Sequence, residues 1–421
     1  MGSFCCYTNK MKDRIGFYCW AGPDTIRMTK LKFFNPNIDE QSLMSSYDFE
    51  YLQNLKDKFG ITDFWATYSW GFSPESEKDQ YEFLLSKIKN FKKLKIKLHA
   101  YIQGTNVVTN EFKDKDWFCK DEYGRDIAYY RGRKVVCLNN PGFVNFILTK
   151  IESMHGLGFD GIYVDNIQMG QIPIPDFDGK GIFTFAGCKC KYCNKKFYNL
   201  YKQNIPKEMK GVKGIKYFNF RVNCTSEFIE KLSNAVHRGG MEFGTNSFDP
   251  KFDTKLLLGT DLKRVEKLQD YMLFENHSLP SGTRSNVYIS EIIEKNKFEK
   301  PVFVVSYKKG IGYDSQFTQS DFNNIYSEDK KFPFFAAIKG SEFFTDGVWH
   351  NLRLNEFEKP TIDESMEFKA GDFNNFPERA LLKVPLLKRF LRKYYNPIFR
   401  LRMESSLFRK VMYIFAQMVL R

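Results

Sequence analysis

The chain has 421 residues, of which 43% are hydrophobic and 17% aromatic, and its formal net charge is +14. This hydrophobic fraction excludes a disordered chain, and no apolar run reaches the roughly 18 residues that a membrane span requires. Outside the basic segment 378–421, nothing in the sequence resembles the basic and aromatic array that follows a nucleic-acid backbone, so nucleic acid is not an expected partner. The length suits one α/β barrel with an appendage.

Apolar, β-rich runs alternate with helical patterns along most of the chain, and this rhythm predicts β/α units and a parallel sheet. There are eight such runs, the number that a (β/α)8 TIM barrel needs, so we predict that α/β fold class. Residues 332–339 fit either the last helix or the last strand. The predicted strands are 14–20, 61–70, 96–103, 159–166, 241–247, 270–278, 301–308 and 341–346, and the predicted helices are 47–59, 78–94, 141–157, 217–237, 261–268, 286–297 and 320–339.

Helix 141–157 has the clearest local signals at its two ends. Pro141 stands in the first turn, where a missing backbone N–H costs nothing. Gly156 and Gly158 are expected to end the helix in a left-handed turn.

Two carboxylates stand where predicted strands end, and a parallel barrel places its chemistry at those carboxyl ends. Asp165 ends strand 159–166, and Glu275 follows an apolar stretch of strand 270–278. Each of them alone also fits a strand-end cap or an ion-pair partner, but two on nearby strands favour catalysis, with Asp346 in reserve. The predicted substrate-binding residues at the strand ends are Tyr68, Trp70, Tyr101, Gln103, Asn166, Asn246, His277, Tyr307, Lys308, Asp346 and Trp349.

A dense C-x-C-x2-C cluster, formed by Cys188, Cys190 and Cys193, follows the fourth predicted strand. Three thiolates from one loop and a fourth from elsewhere would make a closed tetrahedral zinc site that is structural and has no open position for substrate. Cys119 and Cys137 are both candidates for the fourth ligand. The alternative is a set of free thiols in a lysine-rich loop.

The stretch from Gly158 to Asn166 resembles the fourth-strand signature of glycoside-hydrolase TIM barrels, among them the polygalactosaminidase-like family 114 and hypothetical glycosidase families. The cysteine cluster resembles the zinc loop of family 42 β-galactosidases, in which an upstream Cys before a Pro-containing segment supplies the fourth ligand. Cys137, which precedes Pro141, matches that position, so the resemblance implies a structural zinc held by Cys137, Cys188, Cys190 and Cys193.

One departure from family 42 concerns the catalytic acid. Family 42 enzymes follow the strand-four Asp-Asn with a catalytic Glu, and this chain has Ile167 there. The remaining pattern is similar to the α-galactosidase clan, which implies Asp165 as nucleophile and Glu275 as acid/base of a two-carboxylate, retaining glycoside hydrolase that acts on a polysaccharide, oligosaccharide or glycoconjugate. The alternative is a carbohydrate-binding or scaffold protein that has kept the barrel without turnover.

The positive charge is concentrated in a C-terminal tail. Residues 378–421 contain eleven Lys/Arg and two Glu, which gives +9 of the total of +14, so we predict a barrel domain over 1–376 and a basic amphipathic helical extension over 377–421. Such a tail fits either helices packed on the barrel or an anchor on an anionic membrane surface. Nine cysteines and the absence of a secretion signal predict a cytoplasmic protein, with the tail placing it at the inner membrane face.

Overall fold

The computed structural model describes residues 14–32, 40–129, 132–170, 175–176, 181–182, 187–207, 211–248, 250, 254–275, 289–306 and 335–339. Eight strands form one mixed α/β framework: β1 (Gly16–Cys19), β2 (Asp63–Ser69), β3 (Lys97–Gln103), β4 (Gly161–Asp165), β5 (Glu242–Thr245), β6 (Met272–Glu275), β7 (Val302–Ser306) and β8 (Phe335–Lys339). The predicted tail, the domain boundary before residue 377 and strand 341–346 lie outside the described residues.

The helices lie between the strands in sequence, as the alternating pattern predicts. They are α1 (Pro23–Lys32), α2 (Glu40–Ser45), α3 (Phe49–Phe59), α4 (Lys78–Leu94), α5 (Pro141–Glu152), α6 (Lys191–Tyr201), α7 (Gly211–Arg238), α8 (Thr254–Leu257), α9 (Leu262–Glu266) and α10 (Ile289–Asn296), with a 3-10 turn at Thr109–Glu111. None of these helices in the described part of the chain is both long and apolar enough to cross a membrane.

The eight strands form a parallel sheet in the order β6-β7-β8-β1-β2-β3-β4-β5. A parallel bridge between Asn246, which follows β5, and Leu273 of β6 connects the two end strands. Two short antiparallel hairpins lie outside this sheet, one pairing Asn106–Val108 with Arg133–Val135 and the other pairing Pro175–Asp176 with Gly181–Ile182. The parallel arrangement places the ends of β4, β5 and β6 at the same edge.

Buried aromatic side chains fill the concave side of the sheet. Trp65 of β2 packs edge-on against Phe303 of β7, with ring centroids 4.8 Å apart, and its indole N–H donates to the Tyr271 hydroxyl at 2.9 Å. Tyr18 of β1 and Tyr163 of β4 meet with centroids 5.7 Å apart. These contacts join strands that are not neighbours in the sheet, so the sheet is strongly curved around its core.

Helix α5 begins where the sequence predicted and ends five residues earlier than predicted. The Asn140 side chain accepts hydrogen bonds from the backbone N–H groups of Gly142 and Phe143, and Pro141 occupies the first turn. The helix ends at Glu152 and not near residue 157, because the chain tightens into three-residue turns there. Gly156 and Gly158 adopt φ of 75° and 102° in the loop that follows, so their left-handed conformation serves the loop.

The last strand corrects the predicted helix 320–339. Residues Phe335–Lys339 form β8, which pairs in parallel with β1 on one side and with β7 on the other. The Ala-Ala pair at its centre favours a helix locally, but β1 and β7 both need a hydrogen-bonding partner between them. The tertiary requirement decides the conformation, so the strand interpretation of 332–339 is the right one for these five residues.

Candidate active site and cysteine cluster

Asp165 is the last residue of β4, and its carboxylate is buried within a shell of donors. The Oδ2 atom accepts from the Tyr101 hydroxyl at 2.6 Å and from Asn166 Nδ2 at 2.7 Å. The Oδ1 atom accepts from the Asn166 backbone N–H at 2.8 Å and from Asn246 Nδ2 at 2.6 Å. Four such donors hold the carboxylate in one orientation.

Glu275, the last residue of β6, shares a hydrogen-bond donor with Asp165. Asn246 Nδ2 also donates to Glu275 Oε1, at 3.0 Å, so one amide nitrogen bridges the two carboxylates. The two bridged oxygens can therefore be no more than 5.6 Å apart, which is the 2.6 Å and 3.0 Å bonds laid end to end. The side-chain oxygen Oδ1 of Asn246 accepts from the Phe248 backbone N–H at 2.6 Å, and this contact turns Nδ2 toward the carboxylates.

The environment of Asp165 raises its pKa to about 6. Burial is the larger cause, because it disfavours the charged form, and the neighbouring negative charge of Glu275 adds to it. The hydrogen bonds from Tyr101, Asn246 and the Asn166 backbone act in the opposite direction and limit the rise. A carboxyl whose pKa is perturbed by burial and a like charge, at a strand end, is typical of a functional site.

Asn166 occupies a left-handed backbone conformation, with φ of 53°, immediately after the Asp165 carboxylate. Its carbonyl oxygen accepts from the Thr105 hydroxyl at 2.7 Å, and its side-chain oxygen accepts from the Tyr129 hydroxyl. The chain therefore turns sharply at the end of β4 and is held in that turn from both sides. Thr105 and Tyr129 were not predicted, since no local pattern links them to β4.

Aromatic rings flank the donor shell of Asp165. Trp70 packs 5.1 Å from the Tyr101 ring, and Trp20 lies 5.3 Å from Trp70 and 6.3 Å from Tyr101, centroid to centroid. Trp20 was not among the predicted residues, although its position one residue after β1 is the same signal that pointed to the others. Gln103 belongs to this group too, since its Nε2 donates to the Tyr101 hydroxyl.

Tyr68 does not join the aromatic residues around Asp165. Its ring stacks on Tyr81 of α4, with centroids 4.5 Å apart and an angle of 15°, on the helix-covered side of the sheet. Alternate side chains of a strand point to opposite faces, and Phe64 on β2 shares this face with Tyr68. The other predicted residues, His277, Tyr307, Lys308, Asp346 and Trp349, lie outside the described residues.

The four cysteines Cys137, Cys188, Cys190 and Cys193 are buried, and their sulfur atoms all lie within 4.8 Å of one another. Cys137 Sγ lies 3.4 Å from Cys190 Sγ and 3.4 Å from Cys193 Sγ, and all four are free thiols. Four thiolates around a zinc ion at about 2.3 Å would lie about 3.8 Å from one another, so the sulfur spacing fits a tetrahedral metal site. This buried cluster can bind a metal ion.

Donors around the cluster also suit thiolate ligands. The Asn139 backbone N–H points to Cys137 Sγ at 3.4 Å, and the Cys190 backbone N–H points to Cys188 Sγ at 3.4 Å. Hydrogen bonding from the Cys119 thiol is the largest of the causes that lower the pKa of Cys137. Cys119, the alternative fourth ligand, is buried beside Cys137 and Cys188, but the set of mutually close sulfur atoms contains Cys137 in its place.

A second charged cluster lies at the opposite ends of the strands. Asp63, at the start of β2, accepts from Arg14 Nε at 3.1 Å and faces His99 Nε2 at 2.9 Å, while Arg14 also bonds Glu242 at 2.9 Å. Burial alone raises the pKa of a carboxyl, yet hydrogen bonds from His99 and Arg14 hold the pKa of Asp63 well below its usual range. Arg14 pairs with both carboxylates and Lys97 pairs with Glu242, so the two negative charges have two cationic partners, which favours an ion network that stabilises the fold.

No protein-family model matches the chain, and no curated protein matches it. Solved structures with a similar fold include the cold-adapted β-galactosidase from Rahnella sp. R3, with a TM-score of 0.57 and 9% identity over 92% of this chain and 57% of that one. The β-galactosidase of the psychrophilic Marinomonas ef1 has a TM-score of 0.53 and 8% identity over 96% of this chain and 67% of that one. The β-galactosidase of the Antarctic haloarchaeon Halorubrum lacusprofundi has a TM-score of 0.51 and 11% identity over 77% of this chain and 52% of that one.

This chain spans between 52% and 67% of the length of those three galactosidases. At identities of 8–11%, the likeness establishes a glycosidase-like fold, with its parallel sheet and surrounding helices. A fold of this kind hosts many chemistries, so function has to be argued from the site.

Proposed function

We propose that the chain is a retaining glycoside hydrolase in which Asp165 is the nucleophile and Glu275 the acid/base. The observation that carries the proposal is the Asn246 amide, which bridges the two carboxylates and limits their bridged oxygens to 5.6 Å. Retaining glycosidases hold their carboxyl groups about 5–5.5 Å apart, whereas inverting enzymes separate them by about 6.5–9.5 Å to admit a water molecule.

The proposed architecture is a closed (β/α)8 barrel with this pair at its carboxyl-terminal mouth. The Asn246–Leu273 bridge between the end strands supports closure, as does the hydrogen bond from Trp65 of β2 to Tyr271, which immediately precedes β6. In such a barrel β4 and β6 are separated by one strand, and Asn246, which follows that strand, stands between their terminal carboxylates.

In the first step, ionised Asp165 attacks the anomeric carbon of the bound sugar and Glu275 donates its proton to the departing glycosidic oxygen. The bond to the leaving group breaks as the bond to Asp165 forms, so a covalent glycosyl ester results. Glu275, now ionised, takes a proton from water, and the resulting hydroxide attacks the anomeric carbon and releases Asp165. A carboxyl with a pKa of about 6 is mostly ionised near neutral pH, as the nucleophile must be. When Glu275 carries the proton that it donates, its negative charge no longer raises the pKa of Asp165, so Asp165 ionises more readily in the reactive form.

The residues around Asp165 suit an oxocarbenium-like transition state. Tyr101 and Asn166 orient the nucleophile, since both donate to Oδ2. Trp20 and Trp70 place apolar ring surface beside the Tyr101 ring, a combination that sugar-binding clefts use for the C–H faces of pyranose rings. The substrate class that we propose is a polysaccharide, oligosaccharide or glycoconjugate.

The cysteine cluster is proposed to hold a structural zinc ion through Cys137, Cys188, Cys190 and Cys193. A bound zinc would offset half of the negative charge of four thiolates and fix the loop before α6 to the hairpin that precedes Cys137. With four protein ligands it leaves no coordination position for a substrate. Cytoplasmic location and contact of residues 378–421 with an anionic membrane surface remain proposals from the sequence.

A second candidate is a carbohydrate-binding or scaffold protein without turnover. It is favoured by Ile167, a buried apolar residue at the place where family 42 enzymes carry their acid. Hydrolysis tests separate the two functions. Wild-type protein is screened against aryl glycosides and cell-surface glycans, with Asp165→Asn as the matched inactive variant, and 2-fluoro glycosides are used to trap the ester on Asp165 for peptide mass spectrometry. Glycan binding without release of any product by the wild type would establish the second candidate.

A further inference from the structure

An exposed surface at the junction of α6 and α7 combines large apolar side chains with lysines. We define the α6–α7 surface by the exposed residues Lys195, Tyr198, Leu200, Lys202, Val212, Lys213 and Ile215. Its apolar members are between 51% and 71% exposed, and they are four of the seven exposed large hydrophobics among the residues that the structure describes. Soluble proteins seldom leave apolar groups concentrated in this way unless something covers them.

The two helices contact each other at this junction. Phe197 of α6 packs against Tyr217 and Phe220 of α7, with ring centroids 5.7 Å and 5.2 Å apart. The Lys216 ammonium lies 5.8 Å from the Tyr201 ring centroid, so the end of α6 lies on the first turns of α7. Phe197 therefore anchors the inner side of the junction, and Leu200, Val212 and Ile215 are exposed outside this packing. Tyr198, two positions from Leu200, projects from the other flank of α6.

The charged residues at this junction are nearly all positive. Residues 187–216 contain nine lysines and one glutamate, which gives a net charge of +8. Lys191 and Lys196 are paired with Asp116 and Glu227 from elsewhere in the chain. Lys195, Lys202 and Lys213 are exposed within five residues of these apolar side chains in the chain, so an occupant that offers both negative charge and apolar contact suits this junction.

The positive charge disfavours two ways in which this protein could cover the surface itself, namely with a second copy or with its own tail. A second copy joined symmetrically through the α6–α7 surface would bring its own lysines against those of the first. The basic tail, residues 378–421, carries eleven Lys/Arg against two Glu and would be repelled in the same way. An occupant that is both anionic and apolar satisfies the surface, and a lipid bilayer with anionic headgroups offers both.

We infer that the α6–α7 surface binds the interface of an anionic membrane, with Leu200, Val212 and Ile215 entering the headgroup region and the lysines facing lipid phosphates. Apolar residues anchor such contacts, and basic residues add electrostatic attraction. Attachment is peripheral. The cysteine cluster would hold this surface rigidly to the fold, because Cys190 and Cys193 stand at the start of α6. The inference is independent of glycoside hydrolysis.

The test is sedimentation of the full chain with sucrose-loaded vesicles, made either of phosphatidylcholine alone or of equal parts phosphatidylcholine and phosphatidylglycerol. The full chain is expected to bind the anionic vesicles and to leave them as salt rises. The variant Lys195→Gln, Lys202→Gln, Lys213→Gln should lower the partition coefficient about fivefold per lysine, roughly a hundredfold in all. The variant Leu200→Ser, Val212→Ser, Ile215→Ser should lower the partition coefficient by a similar factor at low and at high salt, because salt screens charge and not apolar contact.

A control variant changes three exposed lysines outside this surface, Lys89→Gln, Lys93→Gln and Lys267→Gln, and should bind as the wild type does. Each contact multiplies the partition coefficient by its own factor. Binding by residues 378–421 would therefore raise the coefficients of the wild type and the variants alike and leave their ratio unchanged. Equal loss in the control and surface variants, or no binding of the wild type to anionic vesicles, overturns the inference. So does a dimer in sedimentation equilibrium that the three serine substitutions dissolve, because a second copy would then be the occupant.

Discussion

Asp165 and Glu275 accept hydrogen bonds from one and the same amide nitrogen, Nδ2 of Asn246, at 2.6 Å and 3.0 Å. Two carboxylates held by one neutral donor cannot separate without breaking one of these bonds. The donor also attracts whichever carboxylate is ionised, so it would serve both halves of the proposed double-displacement reaction. This arrangement makes the pair open to direct tests.

The first prediction concerns the nucleophile. Asp165→Asn should lower kcat by about a thousandfold or more on any glycoside that the wild type cleaves, because the amide cannot form the glycosyl ester. The fold should survive, since an amide of equal size can keep part of the hydrogen-bond shell. Steady-state kinetics and a thermal melt of the same sample measure both effects. Activity equal to the wild type would remove Asp165 from the mechanism.

The second prediction is a dependence of rate on pH. Burial and the charge of Glu275 raise the pKa of Asp165 to about 6, and only its ionised form is a nucleophile. The value of kcat/KM should therefore fall as pH drops through about 6. Glu275→Gln removes the like charge and should move this acid limb to lower pH, measured with an aryl glycoside whose leaving group needs no protonation. An acid limb that stays in place would show that another group controls it.

The third prediction concerns Asn246. Asn246→Ala removes a hydrogen bond from each carboxylate, and a hydrogen bond to a charged group contributes about 1.5–3 kcal/mol, so kcat should fall roughly 10- to 100-fold. Its hydrogen bond lowers the pKa of Asp165 in the wild type, so the acid limb should shift to higher pH in the variant. Pre-steady-state kinetics over pH report both changes. A loss of stability with an unshifted pH profile would mean that Asn246 is only structural.

The fourth prediction is one zinc ion per chain. Protein purified without chelator should contain one equivalent by elemental analysis, and Cys193→Ser should lose the metal and melt at least about 5 °C lower, because metal binding and folding are coupled. Cys19→Ser serves as the control, since Cys19 is a buried thiol outside the cluster and its variant should keep the metal. Zinc retained by Cys137→Ser and lost by Cys119→Ser would transfer the role of fourth ligand from Cys137 to Cys119.

The fifth prediction concerns stability in acid. The pKa of Asp63 is held below the usual value of 3.8 by His99 and Arg14, so its contribution to stability is present above that value and is lost as pH falls below it. Asp63→Asn should reduce the free energy of unfolding by about 1.5–3 kcal/mol at neutral pH, because it removes the charged acceptor of the Arg14 hydrogen bonds and leaves Arg14 with Glu242 alone. Denaturant unfolding at several pH values measures this. Glu82→Gln, which breaks the exposed pair with Lys78, should cost no more than about 0.5 kcal/mol.

The sequence alone was enough to predict β/α units and the positions of Asp165 and Glu275 at strand ends. Buried parallel strands are continuous apolar runs, and the polar residue that ends such a run is visible without a structure. The cysteine spacing was equally informative, because three thiols within six residues lie close together in almost any loop conformation. Helix α4 was predicted at its observed bounds, Lys78–Leu94, since it is long and strongly periodic.

Only the tertiary structure decided which of these residues meet. Asn246 reaches Asp165 across 81 residues, and this contact depends on β5 lying between β4 and β6. Tyr68 is turned toward α4 because alternate side chains of β2 point to opposite faces, and the packing of α4 decides which face the helix covers. Local patterns carry backbone propensity and burial, whereas partners distant in sequence are chosen by strand order and packing, which no local pattern records.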